Sequence, residues 1–127
     1  MAQTDKNKRS FGSYGEELAL EYLANNNYKI INRNFRYGRL GEIDIVAWES
    51  GYLCFVEVKT RTNTEFGTPA EAVTYRKQKI IRKISQVFIS RYNMHDKDIR
   101  YDIAEVYLSK EYNKTGGSTI NIIKNAF

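Results

Sequence analysis

Apolar and polar positions alternate along the chain in a way that predicts seven elements in the order α-β-β-β-α-β-β. Apolar residues at helical spacing cover 14–26 and 68–92. Short apolar runs, typical of strands, cover 28–36, 43–48, 53–58, 99–108 and 118–124. We expect the second helix to begin with Thr68 as its cap, because Pro69 suits the first helical position and Glu71 completes a capping box. Residues 11–127 are expected to form one α/β domain, preceded by a flexible basic tail over residues 1–10.

The two central strands carry charged residues inside apolar surroundings. Residues 49–52 form a short polar segment, which predicts a hairpin with Ser50 and Gly51 at its tip. In that register Asp44 faces Glu57, and Lys59 faces Glu42. Because side chains alternate between faces along a strand, these four project to one side. The residues expected on the other side are Ile43, Ile45, Cys54, Val56 and Val58.

This predicted hairpin suggests chemistry, because two facing carboxylates repel each other unless a cation lies between them. A divalent metal ion at Asp44 and Glu57 would satisfy that geometry, and Lys59 would add a second positive charge. Metal-assisted hydrolysis of a phosphodiester needs this combination. The alternative is a purely structural cluster of ions, and the lysine and carboxylates alone fit both interpretations.

The motifs resemble a known family. Gly41-Glu42-Ile43-Asp44, followed by Phe55-Val56-Glu57-Val58-Lys59, is similar to the YraN-like family of bacterial proteins, which is related to archaeal Holliday-junction resolvases and to the PD-(D/E)xK nucleases. The likeness extends over nearly the whole chain. Its further segments are 12–17, 33–36, 66–69 and 99–103.

The resemblance implies a restriction-endonuclease-like fold, with a mixed central sheet flanked by helices. It implies an endonuclease that depends on Mg²⁺ or Mn²⁺ and hydrolyses phosphodiester bonds in DNA, including branched or junction DNA, as a homodimer. Asp44 and Glu57 would bind the metal, Lys59 would be the catalytic lysine, and Glu16 would be a further acidic catalytic residue and metal ligand from the first helix. The residues themselves fit DNA and RNA equally.

Glu16 also has a local explanation. Ser13 precedes it by three residues, so the two fit a capping box in which Glu16 accepts a hydrogen bond from the Ser13 amide. Cap and site are both open for this residue.

The chain is basic, with a formal net charge of +5 and a pI of about 9.3, which favours a polyanionic partner. The candidates for contacts with nucleic acid are Arg33, Arg36, Arg39, Arg61, Arg76, Lys77, Lys79 and Lys83. A solvated surface explains the charges of the second helix as well. Lys77 differs because it lies on the apolar side of that helix, where a lysine either meets an anion or extends to solvent.

Three classes of function therefore stand: a nuclease, a non-catalytic nucleic-acid-binding module of the same fold, and a structural or partner-binding protein. The single cysteine, Cys54, excludes an intramolecular disulfide and fits a reducing compartment. No apolar run is long enough to span a membrane, and the N-terminus lacks the apolar core of a signal peptide. We expect a cytoplasmic protein with no membrane partner.

Overall fold

The chain folds into two helices and five strands in the predicted order, which confirms the expected α/β class. The computed structural model describes the backbone of residues 3–62, 73–108 and 117–127, and the side chains of residues 12–61, 73–108 and 117–127. The elements are α1 Gln3–Asn25, β1 Lys29–Tyr37, β2 Gly41–Glu49, β3 Tyr52–Thr62, α2 Tyr75–Arg91, β4 Asp98–Leu108 and β5 Ser118–Ile123.

The five strands form one mixed sheet in the order β1-β2-β3-β4-β5. β3 and β4 are parallel, and α2 makes the crossover between them, while every other neighbouring pair is antiparallel. Apolar residues of α2 pack with one set of strand residues, and Ala19 and Leu23 of α1 pack with the other set. The sheet therefore has an α1 face and an α2 face.

The hairpin tip follows from its sequence. Ser50 and Gly51 have φ values of 52° and 82°, the positive pair that a type I′ turn requires, and Glu49 pairs directly with Tyr52. This turn matches the twist of its strands and fixes the register that the sequence predicts. The expected positions of β4 and of the edge strand β5 are also confirmed, to within a residue at each end.

Both helix starts differ from prediction. α1 begins at Gln3, eleven residues before the expected start, and so includes most of the segment assigned to a basic tail. α2 begins at Tyr75, and the Thr74 side chain caps it by accepting a hydrogen bond from the Lys77 amide at 3.2 Å. The predicted start at Thr68 is wrong, because Val73 and Thr74 precede the helix. The proposed cap, residues 68–71, lies outside the described residues.

The regular alternation of side chains is interrupted in β2. Ile43 packs with Val46 in the core of the α2 face, whereas Ile45 packs in the core of the α1 face, so the prediction that Ile43 and Ile45 share a face is wrong. In the neighbouring strand, the register with β2 shifts between Ile30 and Asn32, and Asn34 has a φ of 52°. Asparagine tolerates this left-handed conformation well, so Asn34 is a local irregularity of β1 at the position opposite Asp44.

None of the helices in the described part of the chain is long and apolar enough to cross a membrane.

Candidate active site at a strand opening

Asp44 lies where β2 and β3 separate. Their ladder of paired residues runs from Glu49 and Tyr52 to Ile45 and Val56, and it ends one pair before Asp44 and Glu57. The Val58 amide then donates a hydrogen bond of 2.7 Å to Oδ2 of Asp44. The Val58 amide, which could bond to a backbone carbonyl if the ladder continued, therefore bonds to the Asp44 side chain. The backbone of β3 thus holds Asp44 in the opening between the strands.

Asp44 and Glu57 are adjacent, as the hairpin register predicts. Burial raises the pKa of Asp44 to about 7, and the negative charge of Glu57 adds to the rise, while the hydrogen bond from the Val58 amide opposes it. Glu42 contributes further repulsion. Two acids this close retain a proton or require a cation, which is the electrostatic condition of a metal-binding pair.

Among the residues that the structure describes, the cation in contact with Glu57 is Lys77 of α2. Nζ of Lys77 lies 3.5 Å from Oε2 of Glu57, which is nearly fully buried. The other oxygen, Oε1, is buried and has no hydrogen-bond partner among the described residues. Lys77 therefore faces an anion, one of the two environments that its position on the apolar side of α2 allows.

Lys59 follows Glu57 on the same strand face, because Phe55 packs on the α2 face and Val56 on the α1 face, which sets the alternation of β3. The predicted pairing of Lys59 with Glu42 is wrong: the β2–β3 ladder has ended, and Lys59 instead pairs with Glu105 of β4. Among the residues that the structure describes, none forms an ion pair or hydrogen bond with the Lys59 side chain.

Glu16 lies inside α1, and so does Ser13, so the capping-box explanation of Glu16 is wrong. Its Oε1 accepts a hydrogen bond of 2.9 Å from Nδ2 of Asn34, and Arg33 lies 4.0 Å away. Burial raises the pKa of Glu16, and the charge of Asp44 raises it further. Glu16 therefore extends from the α1 side towards Asp44, and a hydrogen bond from Asn34, the left-handed residue of β1, holds it.

The basic candidates divide into paired and exposed residues. Arg33 donates a hydrogen bond of 2.5 Å to Glu17, and Nε of Arg61 lies 3.8 Å from Glu105. The exposed side chains are Arg36 and Arg39 near the β1–β2 turn, and Arg76, Lys79 and Lys83 on α2. Contact of these residues with nucleic acid stays a prediction.

The site fits a hard cation with few protein ligands. Within the described residues, no group of three Asp, Glu, His or Cys side chains converges as a metal centre. Mg²⁺ is commonly held by one or two carboxylates and keeps several waters, so Asp44 and Glu57 suffice, with the unpartnered Oε1 of Glu57 as one donor. Glu16 does not complete a three-residue group, which leaves it a role through water.

Two residues near the site were not identified as candidates from the sequence. Asn34 could have been suspected as a strand residue that tolerates a left-handed conformation, but an isolated asparagine carries little signal. Glu105 is fully buried beside Arg61, and its acidic character inside an apolar strand was its only signal.

A second buried charged cluster lies near the hairpin tip. Arg100 donates two hydrogen bonds to Asp102, each 2.9 Å long, and Tyr28 donates another to the same carboxylate. Although burial alone would raise the pKa of Glu49, hydrogen bonds from Lys124 and Arg100 hold it at about 2. Arg100 also lies 2.8 Å from Oε1 of Glu49, so the charges of this cluster are paired with one another, and we interpret it as a structural network.

The fold and the acidic pair define an α/β protein with a mixed five-stranded sheet and a candidate active site at a strand opening. Residues 15–106 match the "Uncharacterised protein family UPF0102", and the chain belongs to this family. The UPF0102 protein of Acetivibrio thermocellus is 47% identical over 121 residues, covering 95% of this chain and 93% of the relative. That of Caldanaerobacter subterraneus is 46% identical over 121 residues, covering 95% and 97%. The family resemblance is thereby confirmed, whereas the link to the nucleases stays an inference from motifs.

Proposed function

We propose that this protein is an endonuclease that depends on Mg²⁺ or Mn²⁺ and hydrolyses phosphodiester bonds in DNA, with branched or junction DNA among its substrates. One observation carries the proposal. Asp44 and Glu57 lie together where two strands separate, and burial, with the negative charge of Glu57, raises the pKa of Asp44. Two lysines, Lys59 and Lys77, approach the same face of the sheet.

The residues have distinct roles in this proposal. A bound divalent ion would supply an activated water and charge stabilisation at the phosphate. Asp44 and Glu57 would hold that ion, and the Val58 amide fixes the orientation of Asp44. Lys59 would orient the attacking water or neutralise charge on the phosphate, while Lys77 keeps Glu57 in place.

The structure gives a reason to separate the two lysines. Glu57 already has Lys77 as its counter-ion, so Lys59 is not required to balance that carboxylate. An ammonium group on the same face, with no ion pair to the described residues, is available to a phosphate. This favours a substrate role for Lys59 over a purely structural ion cluster.

The second candidate is a non-catalytic nucleic-acid-binding module. It is favoured by the contact of Lys77 with Glu57, which partly neutralises a proposed metal ligand, and by the exposed basic residues on α2. Both candidates include nucleic acid as partner, and only turnover separates them.

A cleavage panel tests the proposal. Labelled single-stranded, duplex, flap and four-way-junction DNA are incubated with the protein in Mg²⁺, in Mn²⁺ and in EDTA. We expect cleavage that requires the metal and that disappears in Asp44→Ala. The matched control is Asp96→Ala, which removes an exposed carboxylate from the turn after α2 and should leave cleavage unchanged.

Cleavage that persists in Asp44→Ala would place the reaction elsewhere. Binding of DNA without cleavage of any substrate would instead support the non-catalytic module. Analytical ultracentrifugation of the protein with a four-way junction would test the homodimer that the resemblance to junction resolvases implies.

A further inference from the structure

Glu105 is a buried acidic residue with one carboxylate oxygen that lacks a hydrogen-bond partner in the described part of the chain. Its side chain is fully buried on β4. The Tyr107 hydroxyl donates a hydrogen bond to Oε1, and Nε of Arg61 lies 3.8 Å from the same oxygen. Oε2 has no hydrogen-bond partner among the described residues. Because a buried carboxylate oxygen is costly to leave unpaired, a donor is expected close by.

Lys59 is the cation in the right place to be that donor. Lys59 and Glu105 are direct partners in the parallel β3–β4 ladder. Both side chains project to the α2 face, because Phe55 of β3 and Ile103 of β4 pack there. Partners on adjacent strands are about 5 Å apart, a distance that the flexible four-carbon stem of lysine spans easily.

The neighbouring cations are already placed. Lys77 contacts Glu57, and Arg61 approaches Oε1 of Glu105 rather than Oε2. Lys59 contacts no described residue through an ion pair or hydrogen bond. Pairing Lys59 with Oε2 of Glu105 therefore gives a counter-ion to both a buried carboxylate and a partly buried ammonium group.

We propose that Glu105 is a positioning residue for Lys59. In the structure the Lys59 side chain donates no hydrogen bond to the described residues, and a change of its rotamer would bring the ammonium group to Oε2 on the α2 face. The group would then lie two residues along β3 from Glu57, with its other N–H donors left for a phosphate. The consequence for catalysis rests on the proposed function, whereas the pairing itself does not. A lysine held in this way keeps a fixed position relative to Asp44 and Glu57, so less ordering is needed when a phosphate binds.

The pairing is tested by NMR of the lysine ammonium groups in metal-free protein at low temperature. Lys59→Met identifies the Lys59 signal by its loss. We expect the Lys59 ammonium of the parent to exchange with water at least tenfold more slowly than that of Lys83, which is exposed on α2. In Glu105→Gln the protection should be lost. The matched control, Glu49→Gln, removes another buried carboxylate near the hairpin tip and should leave the Lys59 signal unchanged.

The outcomes are separable from those of the nuclease test. Lys59 exchanging as fast as Lys83 in the parent would overturn the inference, even if Glu105→Gln failed to fold. A protected Lys59 in both Glu105→Gln and the parent would overturn it as well. If the parent cleaves DNA, Glu105→Gln should lower kcat by roughly 10- to 100-fold with little change in KM, the scale of a misplaced catalytic group. Protection of Lys59 in a protein that cleaves nothing would support the pairing and refute the nuclease.

Discussion

At the scale of single residues, the candidate site is a balance between burial and charge. Asp44 is held by the Val58 amide, which favours its ionised form, yet burial and the charge of Glu57 favour the protonated form. The net result is a pKa near neutrality for a group whose ordinary value is 3.8. A carboxyl group in this state changes its charge readily when a cation arrives.

This balance predicts how stability depends on pH. Because the pKa of Asp44 is higher in the folded than in the unfolded protein, the folded state binds the proton more tightly, and the free energy of unfolding falls as pH rises from about 4 to about 7. Asp44→Asn keeps an oxygen that accepts from the Val58 amide and has no proton to lose. In EDTA at pH 8 we expect it to be more stable than the parent by about 1–3 kcal/mol, less than the pKa shift alone implies because solvent screens the site.

Chemical denaturation of both proteins at pH 4 and pH 8 measures this effect, and the difference in stability should vanish at the lower pH. Glu49→Gln is the opposite case, because the pKa of Glu49 is held low at about 2. That variant should be less stable than the parent at pH 8. If the stability of Asp44→Asn and that of the parent showed the same pH dependence, Asp44 would not be the carboxyl group with the raised pKa.

The same pair predicts stabilisation by metal. A ligand that binds only the folded state raises the melting temperature, so Mn²⁺ should raise it in the parent and leave Asp44→Ala unchanged. The effect should be larger at pH 8 than at pH 6, because the metal competes with the proton on Asp44. Differential scanning calorimetry gives the melting temperatures, with Asp96→Ala as the control that retains the shift. Equal shifts in the parent and Asp44→Ala would remove the metal from this site.

Lys59 gives a prediction that separates chemistry from structure. Lys59→Met keeps most of the apolar stem and removes the charge. If the lysine is catalytic, kcat should fall about a hundredfold or more, with a much smaller change in DNA affinity. If it only balances buried carboxylates, the loss should appear in stability, by roughly 3–5 kcal/mol, with near-normal cleavage by the folded fraction. Lys29→Met, which removes an exposed charge outside the proposed DNA-binding surface, should alter neither kcat nor stability.

At the scale of elements, α1 brings Glu16 to the site through a close contact with β3. A Cβ atom on Gly15 would lie 2.0 Å from Oγ1 of Thr60, so only glycine permits the helix to approach at this point. The next residue, Glu16, then accepts a hydrogen bond from Asn34, the left-handed residue of β1. Gly15 therefore allows α1 to pack closely on β3, and this packing places Glu16 near Asp44.

Gly15→Ala should therefore disturb both stability and the site. The added methyl group forces α1 away from β3, and we expect a loss of about 1–3 kcal/mol, the usual cost of overpacking. Gly12→Ala is the matched control in the same helix: nothing lies within 4 Å of its Cβ position, and the better helix former should be neutral or slightly stabilising. Urea denaturation compares the two. Equal effects of both substitutions would mean that α1 does not dock through Gly15.

The elements also show what local sequence can determine. The hairpin was predictable down to its register, because the turn residues fix which strand positions face each other. The helix starts were not, since Ser13 looks like a cap locally but lies within α1, and α2 is capped by Thr74. The left-handed conformation of Asn34 and the packing of Ile43 on the α2 face were not predicted for a different reason, since an irregularity of a sheet depends on packing from both faces rather than on local pattern.

At the scale of the whole molecule, the order of elements and the meeting of Asp44 with Glu57 followed from sequence, but the partners of each charge did not. The position of Lys77 on the apolar side of α2 allowed either an anion or solvent at its ammonium group, and in the structure Glu57 lies 3.5 Å from its Nζ. Glu105 reaches the site only because β3 and β4 are parallel neighbours, and the crossover that pairs them spans more than thirty residues of chain. Contacts at such distance need the assembled fold.

The distribution of charge over the molecule yields the last prediction. Lys79 and Lys83 are exposed on α2, the helix that supplies Lys77 to the site, whereas Lys29 and Lys97 flank Trp48 near the hairpin tip. If α2 contacts DNA phosphates, the logarithm of the binding constant should fall linearly with the logarithm of salt concentration. Replacing Lys79 and Lys83 with alanine should reduce that slope by about 2.

The control replaces Lys29 and Lys97 with alanine, which removes the same net charge near the hairpin tip. The slope should then stay nearly unchanged. The comparison distinguishes an effect of total charge from an effect of the α2 surface. Fluorescence anisotropy at NaCl concentrations from about 50 to about 300 mM gives the three slopes. Equal slopes in the two double variants would show that α2 is not the binding surface. A flat dependence in the parent would count against nucleic acid as the partner, since contacts with phosphates release counterions wherever they form.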